Sequence, residues 1–284
     1  AIQQYTDSNE LMSSPLLMVG VLFLIIALGF KVSVAPFHFW TPDVYQGSPT
    51  FVTMFMSSVV KLAGFGAFYR LFDNCFELAD EFWQIIFTVI AAVTIVIGSL
   101  TALKQTNVKR LLAYSSVSHA GYMAIALMFM GFINDGAILY YALVYALSSV
   151  GIFAIVISVE KVKSDLSLDS FNGLAKTHPV MAFASAIFLI SLAGLPPTAG
   201  FLAKFFILSA AVKNNFIWLA ILAVLNAAIG VVYYLKLIIA IYFKPTDGSL
   251  APVQNSLLYQ GVLVFIAIVL LLLGILPSFV YNLI

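Results

Sequence analysis

Long apolar runs alternate with short polar breaks along the whole chain. A helix needs about 20 consecutive apolar residues to cross a bilayer core. Eight stretches answer that description: Pro15–Gly47 (A), Thr50–Phe72 (B), Phe82–Leu103 (C), Val108–Met130 (D), Ala137–Val159 (E), Pro179–Val212 (F), Phe216–Phe243 (G) and Leu257–Leu283 (H). Polar turns separate most of them, among them 73-DNCFELADE-81, 104-KQTN-107, 134-ND-135, 160-EKVKSDLSLDSFNGLAKTH-178, 213-KNN-215 and 244-KPTDGSLAPVQNS-256. The pattern predicts an all-α, polytopic transmembrane helix bundle with about eight spans. No low-complexity tract or soluble domain interrupts it.

Two spans are too long for one straight helix across a core of ~30 Å. A is interrupted by 35-APFHFWTP-42 and F by 194-GLPPTAG-200. Proline removes a backbone donor and crowds the preceding turn. Both spans are therefore expected to be broken. A and F lie five spans apart and cross in opposite directions. Paired interruptions of this kind mark inverted-repeat, antiporter-like architectures and point to a transport site. Residues 1–72 then hold the last two helices of a first repeat, 82–243 a second five-helix repeat with its break within 179–212, and 257–283 a carboxy-terminal helix.

Composition agrees: 63% of the residues are apolar and 9% charged, against about 25% charged in a soluble domain. The net charge of +1 gives no ground for nucleic-acid binding, and one cysteine, Cys75, excludes an internal disulfide. Ala1–Ser14 is polar and lacks the basic start of a signal peptide. The expectation is that the sequence is the carboxy-terminal part of a longer chain. Basic residues in short loops orient a membrane protein. The turns after A, C, E and G carry Lys104, Lys109, Arg110, Lys161, Lys163, Lys176 and Lys244, against Arg70 and Lys213 on the other side. This predicts a cytoplasmic Glu160–His178 loop, with Cys75 and both ends of this sequence on the outer side.

Charge inside the spans changes the picture most. Lys61 lies 12 residues after Pro49 and 9 before Arg70, at least ~13 Å from either end of its helix. Lys204 sits just past the F break, and Lys31 just before the A break. A central lysine facing lipid costs at least ~2.5–3.5 kcal/mol on insertion scales, so these three need partners or water. Spans B to H hold no acidic residue at depth; Asp43 and Asp135 sit at loops. A structural reading pairs each lysine with a carboxylate or with carbonyls freed at a break. A functional one leaves them unpaired along a hydrated polar path. Burial disfavours an ammonium's charged form in general, and side chains that exchange protons in series make a relay. His119, in 115-SSVSHAGYM-123, has an imidazole suited to the same task. Either it belongs to the path or it bonds a neighbouring helix. His38, beside the A break, either joins the relay or satisfies a loose carbonyl. Ser115, Ser116, Ser118, Tyr140, Tyr141, Tyr145, Ser148 and Ser149 line such a path or tie helices together. Lys236, 7 residues before Phe243, reaches the surface by snorkelling. No metal-ligand cluster or phosphate loop is visible.

The stretches 31-KVSVAPFHFWTPDVYQGSPT-50, 109-KRLLAYSSVSHAGYM-123 and 191-SLAGLPPTAGFLAKF-205 resemble the antiporter-like, proton-translocating membrane subunits of respiratory complex I. The resemblance runs the whole length. It implies a proton relay through Lys31 as the broken-helix lysine of the first half, Lys61 as the central connecting lysine and Lys204 as the broken-helix lysine of the second half. It also implies a carboxylate partner for Lys31 on an earlier helix, absent from this sequence. No cofactor is expected in this chain; NADH, FMN, iron–sulfur clusters and quinone are expected in partner subunits. The implied partners are other membrane subunits of the complex, the missing amino-terminal helices and the lipid of a bacterial inner membrane. A multisubunit sodium/proton antiporter shares the lysine pattern, and a scaffold with structural lysines is the reading from another class.

Overall fold

The computed structural model describes residues 15–75, 80–129, 136–163, 165–245 and 256–276, the side chains of 73–75 and 80–82 excepted. Readings that rest on Ala1–Ser14, Asp135, the Cys75 side chain and the end of H after residue 276 lie outside the described residues.

The helices are α1 (Pro15–Val32), α2 (Trp40–Gly47), α3 (Thr50–Phe55), α4 (Lys61–Cys75), α5 (Asp80–Leu103), α6 (Val108–Leu127), α7 (Gly136–Glu160), α8 (Leu174–Thr177), α9 (Pro179–Ala193), α10 (Ala199–Lys213), α11 (Ile217–Phe243) and α12 (Leu257–Ile275). Among the described residues, six helical stretches are long and apolar enough to cross a membrane: 15–32, 50–72, 83–103, 136–160, 217–243 and 257–275. The chain is a multi-pass membrane protein. The two remaining expected spans are α6 and the pair α9–α10. α6 is the polar one, and it is buried along nearly its whole length. Its serines and His119 therefore meet other helices rather than lipid. The large exposed apolar side chains sit on the peripheral helices, such as Phe23 and Phe30 on α1, Phe51 on α3 and Phe265 on α12.

Both expected breaks are present. F stops at Ala193 and resumes at Ala199. A stops at Val32 and resumes at Trp40, earlier than its prolines suggest. Trp40, Thr41 and Pro42 form the first turn of α2 instead of lying in the gap. A proline fits there because the first amides of a helix have no intrahelical acceptor. Span B carries a feature absent from its pattern: a π-helical turn, Met56–Val60, between α3 and α4.

Hydroxyls tie the bundle together. Tyr259 of α12 donates to the Ala154 carbonyl (2.7 Å) and accepts from Ser158 (2.8 Å), and Tyr140 donates to the Leu273 carbonyl (2.8 Å). The 160–178 segment is folded onto the chain. Leu166–Leu168 pairs with Thr106–Val108 through two backbone bonds of 2.8 and 2.9 Å. Asp169 meets Lys244 at 3.0 Å, and that hydrogen bond holds its carboxyl below the usual range.

Candidate functional site

The first break leaves backbone groups that need new partners. The Ala35 amide donates to Thr94 Oγ1 (2.9 Å), and Thr94 donates in turn to the Ile90 carbonyl of α5. Trp40 Nε1 donates to the Phe30 carbonyl (3.0 Å), and Thr41 Oγ1 to Ser33 Oγ (2.7 Å). His38 is buried and stacks on Phe39 with 4.6 Å between centroids. Its Nδ1 has no hydrogen-bond partner among the described residues, so that atom does not satisfy a loose carbonyl. Thr94 is the support the sequence did not announce. Thr94→Val is expected to lower the thermal midpoint of the purified protein, since an unsatisfied buried amide costs about 1–3 kcal/mol. Thr94→Ser keeps the acceptor and should restore the midpoint.

Lys31 closes α1 and is exposed. Its stem lies where α1 crosses α4: a Cβ built on Gly64 would stand 3.8 Å from Lys31 Cγ and 2.5 Å from Val32 Cγ1. The structure does not bring the Lys31 side chain into the buried cluster.

Lys61, His119 and Lys204 do come together. Lys61 opens α4 directly after the π turn and is fully buried. Its Nζ donates to the Ser116 carbonyl (2.7 Å) and Ser116 Oγ (2.5 Å) of α6, and stands 5.9 Å from the centre of the Tyr145 ring. Tyr145 also lies against His119, with 4.9 Å between ring centroids. His119 uses both ring nitrogens, Nδ1 with the Tyr141 hydroxyl (2.8 Å) and Nε2 with the Tyr234 hydroxyl (3.1 Å). Tyr234 also bonds Ser115. Ser57, one turn before Lys61, shares a bond with Ser149 of α7 (2.9 Å).

Lys204 is buried five residues into α10. Its Nζ donates to the carbonyls of Ala193 (2.8 Å) and Leu192 (3.2 Å) and lies 5.1 Å from the Tyr122 ring centre. Those carbonyls form the C-terminal, negative end of α9, a natural seat for an ammonium. Gly194 closes α9 with φ of +79°, and a Cβ there would come within 2.6 Å of Lys204 Cδ. A small cavity, about the size of a single water, lies between Lys204 and His119, lined also by Tyr141, Tyr145, Ser148 and Ser191. A water held there would find the several polar partners that buried water needs.

One expectation requires correction. The central lysines are not left unpaired along a wet path: each gives its protons to backbone carbonyls, and Lys61 also to a serine. No carboxylate is paired with either among the described residues. The hydroxyl residues of the expected path divide into two groups. Ser115, Ser116, Tyr141, Tyr145, Ser148 and Ser149 belong to the cluster or its lining. Ser118 bonds Ser99 (3.0 Å) and Tyr140 ties α7 to α12, which are structural uses. Lys236 reaches the Leu103 carbonyl (2.8 Å) from an exposed position. Tyr122, Tyr234, Ser57 and the buried Lys109 were missed. Tyrosines in apolar runs look like packing surface, and Lys109 looks like a loop residue.

Residues 1–230 match the family described as NADH:quinone oxidoreductase/Mrp antiporter, TM. The chain is 40% identical over 271 residues to the NADH-quinone oxidoreductase subunit N of Trichlorobacter lovleyi, covering 95% of this chain and 56% of that protein. It is 42% identical over 274 residues to the protein of the same name in Chloroflexus aggregans, covering 95% and 55%. The chain thus spans about half the length of the curated relatives it matches. Among solved structures, it superposes on a chain of respiratory complex I from Thermus thermophilus with bound aureothin, with a TM-score of 0.83 and 36% identity over 95% of this chain and 60% of that one. A chain of the Mrp complex from Dietzia sp. gives 0.86 at 22% identity, over 95% of this chain and 59% of that one, which speaks for the fold alone. With residues 1–230 matched and relatives at about 40% identity, the chain belongs to the NADH:quinone oxidoreductase/Mrp antiporter transmembrane family.

Proposed function

We propose that the chain is a proton-translocating part of an NADH–quinone oxidoreductase, corresponding to the subunit that its relatives' names call N, and that it moves protons through Lys31, Lys61, His119 and Lys204. The observation that carries this reading is His119, bonded at both ring nitrogens and set between two buried lysines that have no carboxylate partner among the described residues. A neutral imidazole has one donor nitrogen and one acceptor. It takes a proton on the acceptor side and releases one from the other, so a proton crosses the ring without the ring moving. Tyr141 and Tyr234 extend that reach by rotating their hydroxyls. Two cations repel by roughly 2 kcal/mol at ~8 Å in an effective dielectric of ~20. Where two lysines lie that close or share ordered water, protonation of one biases the next toward release. His38 joins the path at the first break through its Nδ1, which has no hydrogen-bond partner among the described residues. The hydroxyls of Thr53 and Ser57 lie on the same helix as Lys61, between it and the Lys109 end of the bundle.

In this reading the chain performs no redox step. NADH, FMN, iron–sulfur clusters and quinone belong to partner subunits, and its neighbours are amino-terminal helices and other membrane subunits in a bacterial inner membrane. NADH-driven proton uptake by vesicles carrying the assembled complex tests it. Retained pumping after loss of the lysines would leave a scaffold. Sodium-dependent exchange without NADH would move the chain to the antiporter branch.

The basic turns support a cytoplasmic 160–178 loop. With Cys75 protected, a cysteine at the exposed Lys161 position should then resist a membrane-impermeant thiol reagent on intact cells and react after permeabilisation. Equal labelling before permeabilisation would reverse the orientation.

A further inference from the structure

Lys109 is a buried lysine that the relay does not use: it is 3% exposed although its position in the sequence is that of a turn. It is the second residue of α6, the positive end of that helix, where an ammonium is disfavoured. Two contacts offset this. Its Nζ donates to the Ser48 carbonyl at 2.6 Å, at the C-cap of α2, and lies 3.8 Å from Glu160 Oε1, the last residue of α7. Both are C-terminal, negative helix ends. The neighbouring Arg110 grips the same half-helix from outside, through Asp43 (2.7 Å) and Gln46 (3.1 Å). That outer pair is exposed and contributes little.

α2 is a piece of eight residues with the first break before it and Pro49 after it, so its seat depends on its side contacts. The three elements that meet at Lys109 are all parts of the proposed path. α2 continues the break that follows Lys31, α6 carries Ser116 and His119, and α7 carries Tyr141, Tyr145 and Ser149. We infer that Lys109 is a positioning residue: its ammonium pins α2 to α6 and α7, and so fixes the first break relative to the Ser116 seat of Lys61. The consequence for transport rests on the proton-relay reading above; the pinning does not.

The test uses the whole protein in its assembled complex, with spin labels on cysteines at the exposed Val44 of α2 and Lys104 beside α6. Lys109→Met should shift or broaden the label distance and lower protons pumped per NADH by about threefold, within the range of substitutions that alter coupling. Lys109→Arg, which keeps a charged donor, should restore both. Arg110→Gln should change neither by as much. If Lys109→Met does not assemble, Lys109→Gln is read by the same two measures. An unchanged label distance overturns the pinning. A changed distance with undiminished pumping overturns the link to transport. Reduced pumping in Lys109→Met beside normal pumping in Lys61→Ala would remove the relay and retain Lys109 as a positioning residue.

Discussion

Alanine at Lys61 or Lys204 is expected to cut NADH-driven proton pumping by on the order of a hundredfold, the lower end of what a positioned acid–base group contributes, while the complex still assembles. The two ammonium groups are held differently, and the substitutions should fail differently. Lys204 is seated on the free carbonyls of Leu192 and Ala193. Its removal leaves those carbonyls open to water in the adjoining cavity, so the fold should tolerate it. Lys61 is held by Ser116 within close packing, and its removal leaves a void, so a modest loss of stability accompanies the loss of pumping. Arginine is the sharper substitution at both places, because it keeps its charge at any relevant pH and cannot release a proton. Pumping is measured as proton uptake per NADH oxidised, with assembly checked in the same membranes. Undiminished pumping in assembled Lys61→Ala and Lys204→Ala complexes would sink the relay.

Gly200→Ala is expected to be the most damaging single methyl in the second broken span. A Cβ there would run into the Ser191 carbonyl, and a backbone atom cannot swing aside as a side chain does. Overpacking of this kind costs typically about 1–3 kcal/mol. Here it would also push α10 from α9 and carry Lys204 off the Leu192 and Ala193 carbonyls. Membrane levels and the thermal midpoint should fall, and pumping by whatever protein remains should fall further than its amount. Gly20→Ala is the matched control, since nothing lies within 4 Å of a Cβ at that position of α1. Equal behaviour of the two variants would show that α9 and α10 do not need their close approach.

The lysines were legible because an ammonium in an apolar run has no bland explanation, and the breaks because proline and glycine interrupt helices for backbone reasons alone. The partners were not legible. Carbonyls have no sequence signature, so the seat of Lys204 became visible only when α9 and α10 folded back on each other. The earlier end of α1 was hidden because no glycine or proline marks Val32; the chain turns at Ser33, with φ of 66°, and Thr94 supports the turn from another helix. Lys109 misled by position. A lysine next to a polar turn is normally solvated, and only the convergence of two other helix ends made burial affordable.

The π turn at Met56–Val60 changes what spacing means in its helix. In an ordinary α-helix a step of four residues overshoots a full revolution by about 40°, so two such steps rotate a side chain by about 80°. Thr53, Ser57 and Lys61 are four apart and would fan out over that arc. A wide turn takes up more residues per revolution and cancels most of the drift. All three side chains are buried, and they fall into phase along one line. The helix thus behaves as though one residue had been inserted before Lys61. Deleting one residue of 56-MSSVV-60 would restore regular winding and leave Thr53 seven residues before Lys61, still within about 20° of the same line, with no charged side chain altered.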